Sequence, residues 1–186
     1  EWVLLENVRF MLHLGGGAAM SQITEALEAL GYRWAYRVMN SQNFGVPQRR
    51  ERVYILASRT MNPAAVLFRD NTVAELVEKR RPTDLSAPIG FYWTEGTYAT
   101  GLADDAVPPL KGGSTIGIPS PPAILFPSGL VGTPDIRDAE RLQGFPEGWT
   151  EAAESVAKSS SRWKLVGNAV TVNVCGWIAQ GITSPP

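Results

Sequence analysis

Apolar residues in the first 60 positions follow the spacings of an α/β fold. Trp2–Leu5 is a short apolar run that suits a buried parallel strand. A helix is predicted next, with Ser21 as its N-cap, Gly31 at its C′ position and apolar residues at helical spacing at Ile23, Ala26, Leu27 and Leu30. Residues 34–39 and 52–57 predict two further strands. The predicted order is therefore strand, helix, strand, turn, strand.

The pattern changes in the middle of the chain. From Pro63 to about Pro134, prolines and glycines are frequent and apolar residues are interleaved among them. This composition predicts a small domain or insertion of turns and short strands, with a short helix over residues 70–81 at its entrance. Thr133 and Pro134 then predict the N-cap and first residue of a helix that runs to Leu142.

The last apolar stretch, NAVTVNVCGWIAQGI at residues 168–182, predicts a helix that is buried on most sides. It is too short to cross a membrane comfortably. A helix that begins at Gly167-Asn168 would direct free backbone N–H groups and the positive end of its dipole towards a ligand. An ordinary Asn N-cap explains the same two residues, and the pattern alone favours it.

Composition and charge limit the function only loosely. The 186 residues suffice for one sizeable core, and the net charge of −1 means that any nucleic-acid contact depends on local clusters. Cys175 is the single cysteine, which fits a reducing cytoplasm, and its apolar neighbours predict a structural thiol rather than a nucleophile. His13 has no metal-ligand spacing around it and is predicted to be a loop or core residue.

Two polar motifs adjoin the predicted strands. Glu6 and Asn7 follow the first strand, at the edge where open α/β sheets place ligands. The run QRRER at 48–52 follows a rigid Gly-Val-Pro turn, and strand alternation would put Arg50 and Arg52 on one face. Guanidinium groups at that position can bind carbonyl oxygens or phosphates, whereas the alternative is a charged, solvated strand entrance.

Four motifs occur in a characteristic order, namely ENV at 6–8, NFGVPQRRER at 43–52, ERLQGFP at 140–146 and GNAV at 167–170. Their residues and order closely resemble the carboxyl-terminal half of the cytosine-C5 DNA methyltransferases. The resemblance covers about residues 1–60 and 130–183. It implies an α/β fold class, with a partial Rossmann-like methyltransferase sheet plus a small, turn-rich target-recognition region.

The resemblance also implies a reaction and a set of site residues. A methyl group would pass from S-adenosylmethionine to C5 of a cytosine that is flipped out of double-stranded DNA. Glu6 would contact N3 and the exocyclic amine of that base, Arg52 would hold its O2, and Arg50 would support the site or a nearby phosphate. Asn7 and Gln48 would contribute to substrate binding. The cofactor pocket would be closed by Asn168, Ala169 and Val170.

This sequence departs from the family pattern at two important places. The family's nucleophile lies in a Pro-Cys-Gln loop and its cofactor is held by a Gly-rich strand-turn, and the 186 residues contain neither. The expectation is a fragment of a longer methyltransferase that neither transfers methyl groups nor binds S-adenosylmethionine tightly by itself. A split enzyme with a partner subunit, a non-catalytic DNA-binding remnant and a tRNA methyltransferase are the alternatives.

The resemblance implies a division into three parts. Residues 1–60 would belong to the catalytic domain, residues 61–145 to the target-recognition region, and residues 146–186 to a linker and a helix that returns to the catalytic domain. The expected partners are DNA and a missing amino-terminal half or partner subunit, without a membrane or a metal. The expected setting is the prokaryotic cytoplasm or nucleoid.

Overall fold

The computed structural model of the chain describes residues 1–70, 86–93, 100–104, 106–110, 122–158 and 160–184. These residues fall into two compact units. Unit 1 contains Glu1–Asn40, the described residues from Glu51 to Asp70, and the described residues from Val174 onward. Unit 2 contains Ser41–Arg50 and the described residues between 74 and 173. The three-part domain division expected from the sequence stays a prediction.

Unit 1 is built on a three-stranded sheet. Its strands are β1 (Trp2–Val8), β2 (Arg33–Asn40) and β3 (Glu51–Ser58). The spatial order is β1-β3-β2, and β3 runs antiparallel to both neighbours. β1 and β2 therefore point the same way, and the predicted strand, helix, strand, turn, strand order is confirmed. The predicted parallel pairing of the first strand is wrong for these residues, because β3 returns between the other two strands.

The first helix, α1 (Ala18–Ala29), begins one turn earlier than predicted. Its N-cap is Gly17, with φ of 99°, so Ser21 lies inside the helix and the predicted N-cap is wrong. Ala18, Ala19 and Met20 are good helix formers, which explains why the helix extends back to the glycines. Gly31 occupies the predicted C′ position with φ of 77°, and its N–H donates to the Glu28 carbonyl oxygen.

The core of unit 1 lies between α1 and one face of β3. The buried residues of this cluster are Met11, Leu27, Val53, Ile55 and Ala57. Ile23 packs against them as predicted, whereas Ala26 and Leu30 are exposed, so half of the predicted apolar face of the helix is wrong. The buried residues of α1 are Thr24 and Leu27.

The central strand and the edge strand β1 differ in burial. β3 is buried on both faces from Val53 to Ser58, as its continuous apolar run predicts. β1 pairs with β3 alone among the described strands, and Leu4 and Leu5 are each 38% exposed. The prediction of a buried first strand is therefore wrong, because β1 forms an edge of this sheet.

The remaining elements of unit 1 are short. A 3₁₀ segment (Arg9–Gly17), interrupted by non-helical backbone at residues 14–16, links β1 to α1, and α2 (Pro63–Leu67) follows β3. Asn62 is the N-cap of α2 and accepts a hydrogen bond from the N–H of Ala64, with proline at the first helical position. The sequence pattern did not predict this helix, which has only five residues. The helix predicted over 70–81 falls almost entirely outside the described residues.

Unit 2 contains a second antiparallel sheet. Its strands are β4 (Ile89–Trp93), β5 (Thr100–Asp104), β6 (Ala123–Leu125) and β7 (Val131–Gly132), in the order β5-β4-β6-β7. The predicted short strands of the turn-rich region are thus confirmed for the described residues. A Cβ atom on Gly90 would lie 1.9 Å from the carbonyl oxygen of Ala106, so this strand needs glycine for close backbone approach.

Helices α3 (Ile136–Leu142) and α4 (Ser160–Asn168) complete the core of unit 2. Asp135 is the N-cap of α3 and forms a reciprocal capping box with Asp138, so the prediction that Thr133 and Pro134 start this helix is two residues early. The predicted end at Leu142 is confirmed. A buried cluster joins the two helices through residues Leu110, Ala139 and Val166.

The last helix differs from its prediction in both start and burial. α4 ends at Asn168, and α5 (Val172–Thr183) begins after a three-residue interruption. The buried residues of α5 are Val174, Ile178 and Gly181, so the helix is not buried on most sides. Ser161–Thr183 has the length and apolar composition of a membrane-crossing helix, but core helices share that composition and this stretch is interrupted.

Candidate functional site

Glu6 and Arg52 form an ion pair on one face of the unit 1 sheet. Glu6 lies opposite Tyr54 and Arg52 opposite Val8, which makes the pair diagonal neighbours on adjacent strands. Nε of Arg52 is 3.2 Å from Oε1 of Glu6, and the two side chains are 15% and 18% exposed. Glu6 lies inside β1, which extends to Val8, so the prediction that it follows the strand is wrong, and only a small part of each side chain is exposed.

The environment of Arg52 is partly desolvated. Burial lowers the pKa of Arg52, while the charges of Glu6 and Tyr54 raise it. One Arg52 N–H group also donates to the carbonyl oxygen of Glu51, at 2.8 Å. The guanidinium group is thus held by a carboxylate and a carbonyl group at a partly exposed edge, which is an arrangement that can bind a polar heterocycle.

Asn7 lies beside this pair in sequence but is exposed, with its side chain engaged locally. Its Oδ1 atom accepts a hydrogen bond from the N–H of Val8, at 2.8 Å. Because successive strand residues point to opposite faces, Asn7 faces away from Glu6. A substrate contact by Asn7 stays a prediction.

Arg50 has a different environment from the one that strand alternation predicts. β3 begins at Glu51, so Arg50 precedes the strand and the alternation does not apply to it. The residue is 2% exposed. Its guanidinium donates to the carbonyl oxygens of Gly167, at 3.1 Å, and Ala169, at 3.0 Å. Arg50 therefore supports the chain after α4 in this structure.

Gln143 donates to the same segment from another direction. Its Nε2 atom donates to the carbonyl oxygens of Val166, at 3.0 Å, and Ala169, at 2.9 Å. Its Oε1 atom accepts hydrogen bonds from Gln48, at 2.7 Å, and Thr171, at 3.1 Å. The side chain thus connects two of the sequence motifs with the residues that follow Gly167-Asn168.

Gln48 is fully buried within this network. Its Nε2 atom also donates to the carbonyl oxygen of Leu142, at 2.8 Å, and its Oε1 atom accepts from the N–H of Leu110, at 3.2 Å. The hydroxyl groups of Ser41 and Thr171 are 2.7 Å apart and extend the chain of hydrogen bonds. These contacts give Gln48 a structural role in this conformation, and its substrate contact stays a prediction.

Asn168, Ala169 and Val170 lie between two helices rather than at a helix start. Asn168 is the last residue of α4, so the predicted helix N-terminus at Gly167-Asn168 is wrong. In a continuous helix, the carbonyl groups near the end of α4 would accept hydrogen bonds from backbone N–H groups one turn further along the chain. Here they accept hydrogen bonds from the side chains of Arg50 and Gln143. Asn168 and Val170 are exposed and Ala169 is half-buried, which leaves two of the three side chains accessible.

A buried ion pair organises the chain around the ERLQGFP motif. Glu140 is inaccessible and accepts hydrogen bonds from the N–H groups of Gly148 and Thr150, at 2.6 and 2.8 Å. Arg162 lies 3.1 Å from the same carboxylate. Burial raises the pKa of Glu140, but hydrogen bonds from Thr150, Arg162 and Gly148 outweigh it and lower the pKa to about 2. Sequence reasoning missed this pair, because both residues resemble surface charges of helices.

The single cysteine and the single histidine take no part in these clusters. Cys175 is half-buried, and burial together with the charge of Glu6 raises the pKa of its thiol. This shift opposes a thiolate at neutral pH, in line with the predicted structural role. His13 is exposed in the 3₁₀ segment after β1. Among the described residues, no group of three or more His, Cys, Asp or Glu side chains could hold a metal ion.

The family described as C-5 cytosine-specific DNA methylase matches residues 1–94 of the chain. Among curated proteins, the type II methyltransferase M2.BsuMI of Bacillus subtilis is 50% identical over 99% of this chain and 49% of its own length. The type II methyltransferase M.BspRI of Lysinibacillus sphaericus is 27% identical over 98% of this chain and 50% of its own length. The chain spans about half the length of these relatives.

Two solved structures share the fold. The S. pombe Dnmt2 methyltransferase superposes with a TM-score of 0.64 and 18% identity, over 100% of this chain and 65% of that structure. The Entamoeba histolytica methyltransferase EhMeth gives a TM-score of 0.53 and 13% identity over 96% of this chain. These likenesses support the predicted α/β class with part of a Rossmann-like methyltransferase fold.

Proposed function

This chain belongs to the C-5 cytosine-specific DNA methylase family, and from that premise we propose that it supplies the base-binding and cofactor-closing half of a DNA (cytosine-5)-methyltransferase. The observation that carries the proposal is the Glu6–Arg52 ion pair, held at 3.2 Å at a partly exposed sheet edge. A carboxyl group beside a guanidinium group matches the polar edge of cytosine, which presents a ring nitrogen, an amine and a carbonyl oxygen.

Each member of the pair has a distinct task in this proposal. When it carries a proton, the Glu6 carboxyl group donates that proton to N3 in a hydrogen bond, and its other oxygen accepts from the exocyclic amine, which withdraws electron density from the ring and favours thiolate addition at C6. Arg52 donates to the cytosine O2 and stabilises charge that develops during the addition. The two opposite charges lie 3.2 Å apart until the base arrives, so each compensates the charge of the other in the meantime.

The segment Asn168–Val170 fits the rim of a pocket for a cofactor that has both charged and apolar parts. The exposed Asn168 amide can donate to or accept from a polar group, and the exposed Val170 side chain offers an apolar contact. S-adenosylmethionine would supply the methyl group when it is bound. Asn168, Ala169 and Val170 would hold it and limit its contact with water.

The nucleophile must come from residues outside these 186. The sequence contains no Pro-Cys-Gln loop, and burial and the charge of Glu6 raise the pKa of Cys175. A thiol with a raised pKa is a poor nucleophile at neutral pH. We therefore propose that the isolated chain neither methylates DNA nor binds the cofactor tightly, and that it acts together with a second half of the fold in the cytoplasm.

A chimera provides the test. This chain replaces the matched half of the 50% identical Bacillus subtilis relative, and the product is incubated with cofactor that carries a labelled methyl group. We expect label in double-stranded DNA with the chimera and none with the 186-residue chain alone. The unaltered Bacillus protein serves as the assay control.

Three outcomes would contradict the proposal. Methyl transfer by the isolated chain would show that it needs no second half. Label in tRNA but not in DNA would assign the chain to an RNA-modifying enzyme. A folded chimera that binds duplex DNA without any cofactor dependence would identify a DNA-binding remnant.

A further inference from the structure

We infer that Arg50 and Gln143 are positioning residues that set cofactor affinity by fixing the Ala169 carbonyl group. The inference rests on the proposed function, because Ala169 lies in the segment proposed to hold the cofactor. It changes the role expected of Arg50 from a contact with substrate or phosphate to control of the cofactor segment.

Two side chains converge on the Ala169 carbonyl oxygen within unit 2. Arg50 donates at 3.0 Å and Gln143 donates at 2.9 Å. Each donor also holds a second carbonyl group nearby, that of Gly167 for Arg50 and that of Val166 for Gln143. The chain is thus fixed around the end of α4 at the carbonyl groups of Val166, Gly167 and Ala169 by two side chains from distant motifs.

The orientation of the Ala169 carbonyl group determines the direction in which the N–H of Val170 points. A trans peptide places the N–H of Val170 opposite the carbonyl oxygen of Ala169, and the described chain has no cis peptide bond. Because that oxygen points at Arg50 and Gln143, the N–H of Val170 points away from them. Loss of the two donors would free this peptide to rotate and would misdirect both the N–H of Val170 and the side chain of Asn168.

Burial of the Arg50 guanidinium group is energetically costly, which indicates that this side chain does more than fill space. A buried guanidinium group is costly unless hydrogen-bond acceptors and negative potential compensate it. The carbonyl end of α4 supplies both, since helix dipoles are negative at that end. Gln143 is itself oriented by Gln48 and Thr171, so the donors are fixed before any ligand binds.

The first readout uses the 186-residue chain and needs no cofactor. Arg50→Lys keeps the charge but loses the planar fork that reaches two carbonyl groups. We expect faster hydrogen exchange at the backbone amides of residues 168–171 in this variant. Arg162→Lys is the matched control, because Arg162 is also buried but contacts Glu140, Thr150 and Glu154 instead. Its exchange at 168–171 should stay unchanged.

The second readout uses the chimera described above. Arg50→Lys and Gln143→Met should each raise the Kd and KM for S-adenosylmethionine about tenfold, while kcat and the KM for DNA change little. Thr171→Val removes one donor to Gln143 together with the hydrogen bond to Ser41. It is the milder variant if the others do not fold, and it should raise the same Kd by a smaller factor. Arg162→Lys should lower stability without altering cofactor affinity.

The outcomes separate this inference from the proposed function. If the parent chimera does not bind the cofactor, the proposed function fails and the inference falls with it. If the parent binds but the Arg50, Gln143 and Thr171 variants keep its affinity, the inference alone is overturned. A rise in Kd with Arg162→Lys equal to that with Arg50→Lys would likewise overturn it, because the effect would then be general loss of stability.

Discussion

Arg52 forms an ion pair with Glu6 across two neighbouring strands, with 3.2 Å between Nε and Oε1. The pair is diagonal, since Glu6 lies opposite Tyr54 in the ladder and Arg52 lies opposite Val8. The strand register therefore fixes which two polar groups meet at this edge of the sheet. A one-residue slip of β1 would move Glu6 to the other face and separate the pair.

Replacing Glu6 should abolish most of the activity while leaving the fold intact. Glu6→Gln keeps the size of the side chain but removes its charge and its acid–base capacity. We expect kcat for DNA methylation by the chimera to fall by about a hundredfold. Arg9→Gln breaks an exposed ion pair with Glu51 in the same unit and should leave kcat unchanged. Equal activity of the Glu6→Gln variant and the parent would remove Glu6 from the mechanism.

Gly144 should tolerate no side chain. It has φ of 83°, and a Cβ atom there would lie 2.3 Å from Oδ1 of Asn173 and 3.3 Å from Cβ of Val172. Asn173 cannot turn away without losing its hydrogen bond to the carbonyl oxygen of Phe44. Any side chain at this positive φ strains the backbone and lowers the free energy of unfolding. We expect the clash in Gly144→Ala to lower it by about 1–3 kcal/mol in addition to that strain.

Gly129 allows the contribution of the backbone strain to be measured separately. It also has φ of 83°, but a Cβ atom there would meet nothing within 4 Å. Gly129→Ala should therefore cost about 1–2 kcal/mol, as expected for a left-handed residue that gains a side chain. Urea unfolding of both variants in the chimera gives the difference, and equal losses would mean that the space around Gly144 can relax.

Glu140 should make the turn over residues 147–150 sensitive to acid. Its pKa is lowered from 4.5 to about 2. Because the folded pKa lies below the unfolded one, the stabilisation is complete above about pH 4.5 and is lost as the pH falls towards 2. We expect the backbone amides of Gly148 and Thr150 to lose hydrogen-exchange protection over that interval, after correction for intrinsic exchange rates.

A substitution at pH 7 tests the same contact. Glu140→Gln should speed exchange at the Gly148 and Thr150 amides by about tenfold, because a neutral acceptor replaces a charged one. Glu147→Gln removes a carboxylate from an exposed pair with Arg141 and should leave those amides unaffected. Protection that persists in the Glu140→Gln variant would show that the turn is stabilised by other contacts.

Cys175 should be dispensable for methyl transfer. Burial and the charge of Glu6 raise the pKa of the thiol, so alkylation by iodoacetamide should be slow at pH 7 and should accelerate only in alkaline solution. Cys175→Ser should retain the methylation activity of the chimera. Loss of activity in that variant, together with rapid alkylation at pH 7, would make Cys175 a candidate nucleophile after all.

Short sequence patterns predicted the elements that depend only on residues close together in the chain. The run RVYILA predicts β3 because β-branched and aromatic residues fill a strand that is buried on both faces. Gly31 predicts the end of α1 because the C′ position requires a positive φ. The apolar run predicts β1 but not its end, because the strand continues through the polar residues Glu6 and Asn7 to Val8.

The helix interruption after Asn168 could not be predicted in this way. The sequence NAVTVNV continues without a proline or glycine, so nothing local marks a break. The side chains that bind the freed carbonyl groups come from Arg50, 119 residues before Ala169, and from Gln143, 26 residues before it. Those contacts exist only in the folded chain, which is also why the structural role of Arg50 escaped the sequence pattern.

The identity of the methylated nucleoside tests the central claim most directly. Duplex DNA is treated with the chimera and unlabelled cofactor, digested to nucleosides and analysed by mass spectrometry. The account predicts 5-methyldeoxycytidine as the product, with the signal strongly reduced by Glu6→Gln. N4-methyldeoxycytidine or N6-methyldeoxyadenosine would contradict it, since neither product requires a cytosine held through its N3 and O2 edge.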